Sequence, residues 1–307
     1  MVKQLLFCLF SIIGFVSFSQ EKSKLLHEGE ELFAKEDYKK ALNVFNKEAR
    51  TNHSVDVKFW IASCYFQLKK YDIAKKGFLE IVRRGINDEN QELSLMNLGS
   101  CYLNLEQNDS ALYYYEQIIE NFPKASNAYY YKGLILYEET QFKEAKENYD
   151  QAIAIDSTDW RFYIRRQDVS YALSEFGDAL TDLLKARELN PDLDISINIA
   201  YCYSMLEKYR EADLIYKQIY DEKDFRLLNN YGLIRHKLGF SKEGEELIRK
   251  SLKLEPKNSY AYRNLAIIAI DNKDLTNACI YLKKAQELQF FTKYGAEVDN
   301  LILKHCN

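Results

Sequence analysis

Small residues recur along this chain at a regular interval, and each is followed four positions later by a bulky apolar or aromatic residue. The series consists of Ala41, Ala74, Ala111, Ala145, Ala179, Ala212, Gly244 and Ala278. Its period of about 34 residues is typical of repeated pairs of helices. A second small residue lies twelve positions before each member, except at Gln167. Because antiparallel helices approach closely only where side chains are small, the pattern predicts eight helix pairs that pack at these positions.

The few helix-breaking residues fit the same pattern. The chain has 11 Gly and 3 Pro among 307 residues, which favours long helical runs. Pro123, Pro191 and Pro256 each lie twelve residues after a member of the series, where they would end the second helix of a pair. A hydrophobic content of 47% provides a core, so the main body is predicted to be ordered.

The N-terminus has a different composition from the rest of the chain. Lys3 precedes an apolar run over residues 5–18, and the small residues Ser17 and Ser19 follow it. This layout predicts a secretory signal peptide over residues 1–19, cleaved before Gln20. The alternative is an uncleaved membrane anchor, but the run is shorter than the roughly 20 residues that span a bilayer. No later segment is predicted to cross a membrane, and the expected location is the periplasm or cell envelope of a bacterium.

The spacing of small, aromatic and proline positions resembles the tetratricopeptide repeat, most closely over Ser126–Asp159 with Gly133, Ala145 and Tyr149 in register. The resemblance implies an all-α, right-handed α-solenoid of about eight helix–turn–helix repeats over residues 20–290. The implied repeats are about 22–54, 55–91, 92–125, 126–159, 160–192, 193–224, 225–258 and 259–290. Residues 291–307 would form a C-terminal capping helix that covers the last repeat.

The resemblance also implies where a partner would bind. In this family the first helix of each repeat lines a concave groove. Carrying the family positions over gives Phe59, Phe66, Tyr130, Tyr137, Arg161, Arg165, Asp168, Tyr171 and Tyr201. Aromatic and arginine side chains often carry binding energy at protein interfaces. The alternative is that the many Tyr and Phe residues fill gaps between neighbouring repeats.

The cysteines fall into two groups after removal of the predicted signal peptide. Cys64, Cys101 and Cys202 each follow the small position of a first helix by two residues, which favours buried core thiols. Cys279 and Cys306 bracket the predicted cap, and the segment resembles the closing segment of exported bacterial repeat proteins. That resemblance implies a disulfide between them, which an oxidising compartment permits. Spacing alone does not fix the pairing, so two free thiols are the alternative.

No catalytic motif accompanies the repeats. The sequence lacks GxSxG, HExxH, GxxxxGK[ST], GxGxxG and CxxC patterns, and its four histidines are far apart. We therefore expect no enzyme activity, no cofactor and no metal. The formal net charge of −4, without a basic block, argues against nucleic acid as a partner. The sequence predicts a non-enzymatic scaffold of the cell envelope that binds other proteins or peptide segments. The alternatives are an accessory subunit of an envelope enzyme and a carbohydrate-binding module.

Overall fold

The computed structural model describes residues 23–84, 89–290 and 297–306, and within these ranges the secondary structure is entirely helical. The predicted signal peptide, residues 1–19, lies outside the described residues. The chain divides into two compact units, Met1–Ile118 and Ile119–Asn307. The predicted all-α fold of stacked helix pairs is confirmed.

The helices follow one another as hairpins. Unit 1 contains α1 (Lys24–Ala34), α2 (Tyr38–Glu48), α3 (Val55–Gln67), α4 (Tyr71–Arg83), α5 (Glu89–Asn104) and most of α6 (Asn108–Asn121). Unit 2 contains α7 (Ser126–Glu138), α8 (Phe142–Ile155), α9 (Trp160–Ala172), α10 (Phe176–Leu189), α11 (Ser196–Met205), α12 (Tyr209–Gln218), α13 (Phe225–Lys237), α14 (Ser241–Leu254), α15 (Ser259–Asp271), α16 (Leu275–Glu287) and α17 (Glu297–His305). Odd-numbered helices up to α15 are the first helices of eight pairs, and α17 stands alone at the end.

The turn between the two helices of every pair has the same backbone conformation. One residue there adopts a positive φ, five positions before the small residue of the second helix. These residues are Glu36, Lys69, Glu106, Thr140, Ser174, Glu207, Gly239 and Lys273. Only the seventh pair uses glycine, the residue that adopts this conformation without steric cost. The shared geometry shows that the eight turns are structurally equivalent.

The small residues are the contact points that the sequence predicts. All eight members of the second-helix series are buried, and Ala145 has no exposed surface. On the first helix of the same pair, a Cβ added at Gly133 would lie 2.8 Å from Cε1 of the Tyr149 ring. Tyr149 is itself fully buried. The absent side chain at the first-helix position therefore makes room for the bulky residue four positions after Ala145.

The last pair is covered by α17. Val298 of this helix is 4% exposed and packs with Ala266, Leu282 and Ala285, all of which are fully buried. Cys279 and Cys306 form a disulfide with an S–S distance of 2.09 Å and a Cα–Cα distance of 5.5 Å. The described helix covers Glu297–His305, and residues 291–296 and 307 of the predicted cap lie outside the described residues.

The three remaining described cysteines are free thiols, and all three are fully buried, as the sequence predicts. Burial raises the pKa of Cys64 and Cys101 to about 12.

Within the described residues, no helix is long and apolar enough to cross a bilayer.

Candidate functional site

The first helices of the opening repeats of unit 2 lie side by side. The ring centroids of Tyr130 on α7 and Phe162 on α9 are 5.3 Å apart. Tyr171 on α9 and Tyr201 on α11 form an edge-to-face pair with centroids 5.8 Å apart. We call the surface formed by α7, α9 and α11 the first-helix face. It contains seven of the nine residues predicted to bind a partner.

Arg161 is held in place by contacts on its own helix and on the neighbouring one. Asp159, the N-cap residue of α9, accepts hydrogen bonds from the Arg161 backbone N–H and from its Nε, each at 2.9 Å. A guanidinium nitrogen, Nη2, also donates to Asn127 Oδ1 of α7 at 3.4 Å. The guanidinium lies 5.7 Å from the Tyr130 ring centroid, within cation–π range. The bond to Asp159 raises the pKa of Arg161. The contacts with Asp159 and Asn127 hold the guanidinium in one position.

Arg165 lies one helical turn further along the same helix. Its Nη1 donates to Asp168 Oδ2 at 2.9 Å, and the two side chains are 20% and 32% exposed. Burial alone would lower the pKa of Arg165, but Tyr130 and Asp168 outweigh burial and raise it. The pair presents a donor and an acceptor next to each other. A partner segment could therefore place a hydrogen-bond acceptor on the Arg165 guanidinium and a hydrogen-bond donor on the Asp168 carboxylate.

Tyr171 connects α9 to α11 by a short chain of hydrogen bonds. The Cys202 thiol donates to the Tyr171 oxygen at 3.2 Å, and the Tyr171 hydroxyl donates to the Asn198 carbonyl at 3.0 Å. Burial raises the pKa of Tyr171, and the contact with Cys202 raises it further. Tyr171 and Tyr201 are half-buried, so their rings are braced by neighbouring repeats while part of each remains accessible.

Two of the predicted groove residues do not offer a binding surface. Phe66 is 7% exposed and packs in the core of unit 1, and Tyr130 is 3% exposed. Tyr130 packs against Tyr131, Tyr149 and Phe162. For these two the alternative interpretation, gap-filling between helices, describes their position. Tyr130 packs on Phe162 of the next first helix, and Phe66 packs on Tyr71 of α4 in a cluster that includes Leu98 of α5. Family position alone does not reveal this burial.

The other predicted residues keep partial exposure. Tyr137 is half-buried at the end of α7, 5.5 Å from the Phe142 ring. Phe59 is also half-buried, but it lies on α3 of unit 1 and contacts Trp60 and Phe78. The structure therefore brings together Tyr137, Arg161, Arg165, Asp168, Tyr171 and Tyr201 in unit 2, and it leaves Phe59 in unit 1.

Sequence reasoning missed the residues that orient Arg161. Asp159 precedes the first helical residue of α9, and Asn127 lies one repeat earlier on α7. A signal for the first was present, because an Asp that caps a helix two positions before an Arg can bond both its backbone and its side chain. The same arrangement recurs two repeats later, where Asp224 caps α13 and accepts from the Arg226 backbone at 2.8 Å.

The side chains of this surface can make apolar contacts and donate hydrogen bonds. Aromatic rings supply contact area with few rotatable bonds, and guanidinium groups supply planar donors. Burial raises the pKa of Tyr149, whose hydroxyl is buried without a hydrogen-bond partner next to this surface. Across the described ranges, no three His, Cys, Asp or Glu side chains are grouped in a way that could hold a metal ion.

Comparison with known families matches consecutive segments of the chain to one description. Residues 56–84, 93–125 and 126–159 match sequence profiles described as tetratricopeptide repeat. Among curated relatives, the BBSome complex member BBS4 of Bos taurus is 22% identical over 88% of this chain and 52% of its own length. A TPR repeat-containing protein of Methanocaldococcus jannaschii is 21% identical over 98% of this chain and 48% of its own length. The chain thus spans about half the length of these relatives.

Solved structures agree on the fold. The C-terminal part of a TPR repeat-containing protein from Cytophaga hutchinsonii aligns with a TM-score of 0.56 at 19% identity, over 89% of this chain and 98% of the other. A tetratricopeptide repeat protein from Parabacteroides merdae aligns with a TM-score of 0.57 at 16% identity, over 83% of this chain and all of the other. At these identities the likeness concerns the fold alone.

Proposed function

Because this chain is a tetratricopeptide-repeat protein, a fold that generally serves as a non-enzymatic scaffold, we propose that it binds segments of other proteins on the first-helix face of unit 2. The observation that carries the proposal is the fixed arrangement of Tyr137, Arg165 and Tyr171 on adjacent first helices. Their side chains are partly exposed and already braced by Asp168, Asn198 and Phe142. Pre-organised groups lose little conformational entropy when a partner binds, which favours affinity.

The partner best suited to this face is an extended or helical segment with mixed character. Apolar side chains would contact the tyrosine rings, while carboxylate or amide groups would pair with the guanidinium groups of Arg161 and Arg165. The name of one relative, BBSome complex member BBS4, describes a component of an assembly, which agrees with a role in holding proteins together.

We further propose that this scaffold resides in the cell envelope. Two features support the location: the signal-peptide layout of residues 1–19 and the Cys279–Cys306 disulfide. Disulfides persist in oxidising compartments and are rare in the cytosol. Intact-mass measurement of protein recovered from the envelope fraction should give a chain that begins at Gln20. A soluble cytoplasmic pool that retains Met1 would contradict the location.

The binding face can be tested in cells before any partner is known. A photo-crosslinking amino acid is placed at Tyr137 or Tyr201, and in matched controls at Leu214 or Ile280. The controls lie on the second helices α12 and α16 and are 62% and 58% exposed. We expect the same discrete protein adduct from both first-helix positions and none from the controls. Equal adducts from all four positions would show that the first-helix face is not selective.

A further inference from the structure

A second apolar surface, separate from the first-helix face, lies beneath α17. Ala266 of α15 and Leu282 and Ala285 of α16 form its floor, and all three are fully buried beneath the cap. The cap inserts Val298 and packs the half-buried Leu301 and Ile302 beside it. These three residues have the i, i+3, i+4 spacing of one helical face, so the floor is shaped to receive one amphipathic helix.

Polar contacts at its edges fix the direction of the bound helix. Arg263 of α15 donates from Nε to Glu297 Oε1 at 3.1 Å, at the start of α17. Gln286 of α16 donates from Nε2 to Asp299 Oδ1 at 2.7 Å. The surface therefore fits a short sequence pattern in the bound helix. An acidic residue is followed directly by an apolar residue, and two more apolar residues lie three and four positions after that apolar residue.

Non-covalent contacts give α17 little independent hold. The helix has nine residues, and isolated helices shorter than about 12 residues are marginal in water. Val298 is the buried residue of this helix, the contact of Glu297 with Arg263 is partly buried, and that of Asp299 with Gln286 is exposed. The Cys279–Cys306 bond adds a second covalent attachment at the far end of α17, which raises the effective concentration of this helix at its seat above that given by the chain connection alone.

The Cys279–Cys306 disulfide is accessible to solvent, unlike the other described cysteines. Cys279 and Cys306 are partly exposed, whereas Cys64, Cys101 and Cys202 have no exposed surface. Exposed disulfides are more readily exchanged than buried ones, and buried thiols seldom attack them. A redox reagent would thus act on the fastening of α17 and leave the core thiols unchanged.

We propose that the α15–α16 face is a redox-gated docking site for a partner protein's amphipathic helix with the acidic–apolar pattern of α17. In the oxidised protein the bonded α17 occupies the face. A dithiol reductant supplies two electrons and two protons, so that the S–S bond is cleaved to the thiols of Cys279 and Cys306 while the dithiol closes to its own disulfide. The released α17 then exchanges with the competing helix.

The gate is tested on the unmodified full chain by hydrogen–deuterium exchange with and without dithiothreitol. We expect amide exchange in residues 297–306 to increase at least ten-fold on reduction, with exchange in α13 and α14 unchanged. Unchanged exchange in residues 297–306 would overturn the gate, because the cap would then stay seated without its bond.

The docking face is tested by templated disulfide exchange. The full chain with Cys306→Ser retains Cys279 as a free thiol, and it is mixed in a glutathione buffer with a synthetic peptide of residues 297–306. We expect at least ten-fold more mixed disulfide with this peptide than with the same peptide carrying Leu301→Ser and Ile302→Ser. The yield of the glutathione adduct reports the intrinsic reactivity of Cys279. Equal yields for both peptides would overturn the docking site, whatever the first-helix face binds.

Discussion

Substitution of Gly244 by alanine should destabilise the fold, because α13 and α14 leave no room for a Cβ atom at this position. Gly244 occupies the position that alanine holds in the other seven repeats, so the pattern alone predicts that Gly244→Ala is tolerated or stabilising. In the structure α13 and α14 approach backbone to backbone. A Cβ at Gly244 would lie 2.4 Å from the Gly232 carbonyl oxygen and 3.0 Å from the His236 backbone nitrogen. Neither backbone atom can move without displacing its helix.

The change in the free energy of unfolding caused by Gly244→Ala is the difference between two opposing contributions. Relief of the contact requires the two helices to separate, and overpacking of this kind typically costs about 1–3 kcal/mol. Removal of a glycine from a helix interior returns about 0.5–1 kcal/mol. We therefore expect Gly244→Ala to lower the free energy of unfolding by roughly 1–2 kcal/mol, since the steric term is the larger.

A matched substitution isolates the steric term. Gly177 lies in the first turn of α10, and a Cβ added there would meet no atom within 4 Å. Gly177→Ala should leave the free energy of unfolding unchanged or raise it by up to about 0.5 kcal/mol. Urea titrations followed by circular dichroism at 222 nm compare both variants with the parent chain. A Gly244→Ala midpoint equal to or above that of Gly177→Ala would refute the backbone contact.

Three further substitutions follow from the same structure. Ala145→Leu should lower the thermal midpoint by several degrees, because the site is fully buried, whereas Ala154→Leu on the exposed side of the same helix should leave it nearly unchanged. Thr140 and Gly239 are equivalent turn residues with φ of 62° and 92°, a conformation in which β-branched residues are strained. Thr140→Gly should therefore raise the thermal midpoint, and Gly239→Thr should lower it. Burial would raise the pKa of Asp213, but hydrogen bonds from Lys217 and Arg235 lower it. That carboxylate therefore stabilises the fold above its unfolded pKa of about 3.9, and the contribution is lost as pH falls through the lower folded value. Asp213→Asn should reduce stability by about 1–3 kcal/mol at pH 7 and far less at pH 3, as measured by urea midpoints; an equal loss at both pH values would contradict the ion-pair interpretation.

The repeat pattern was predictable because its cause is local. A close helix crossing needs a small residue at a fixed position, so Ala145 and Gly133 carry information that is legible in the sequence. The equivalent turns follow from the same spacing. The backbone contact at Gly244 was not predictable, because alanine and glycine are both small and only the helix separation distinguishes them.

The sequence predicted which helices carry the candidate site residues, but not which of these residues are exposed to solvent. Family position places Tyr130 and Tyr137 on the same helix, yet one is buried and the other half-exposed. The difference arises because Phe162 of the next first helix packs on Tyr130. The contact between Arg161 and Asn127 likewise joins two repeats. Such contacts depend on how neighbouring repeats stack, which the residue types of one repeat do not determine.

Binding of protein segments by the first-helix face of unit 2 is tested most directly by affinity measurements. The partner identified by crosslinking at Tyr137 is purified, and its dissociation constant is measured by calorimetry for the parent chain and for Tyr137→Ala/Arg165→Ala. A control variant, Arg210→Ala/Leu214→Ala, removes an exposed arginine and an exposed apolar residue from α12. We predict that the first double variant binds about 30-fold more weakly or worse, equivalent to about 2 kcal/mol, with unchanged helical content, while the control binds as the parent does. Undiminished binding by the folded Tyr137→Ala/Arg165→Ala variant would contradict the claim.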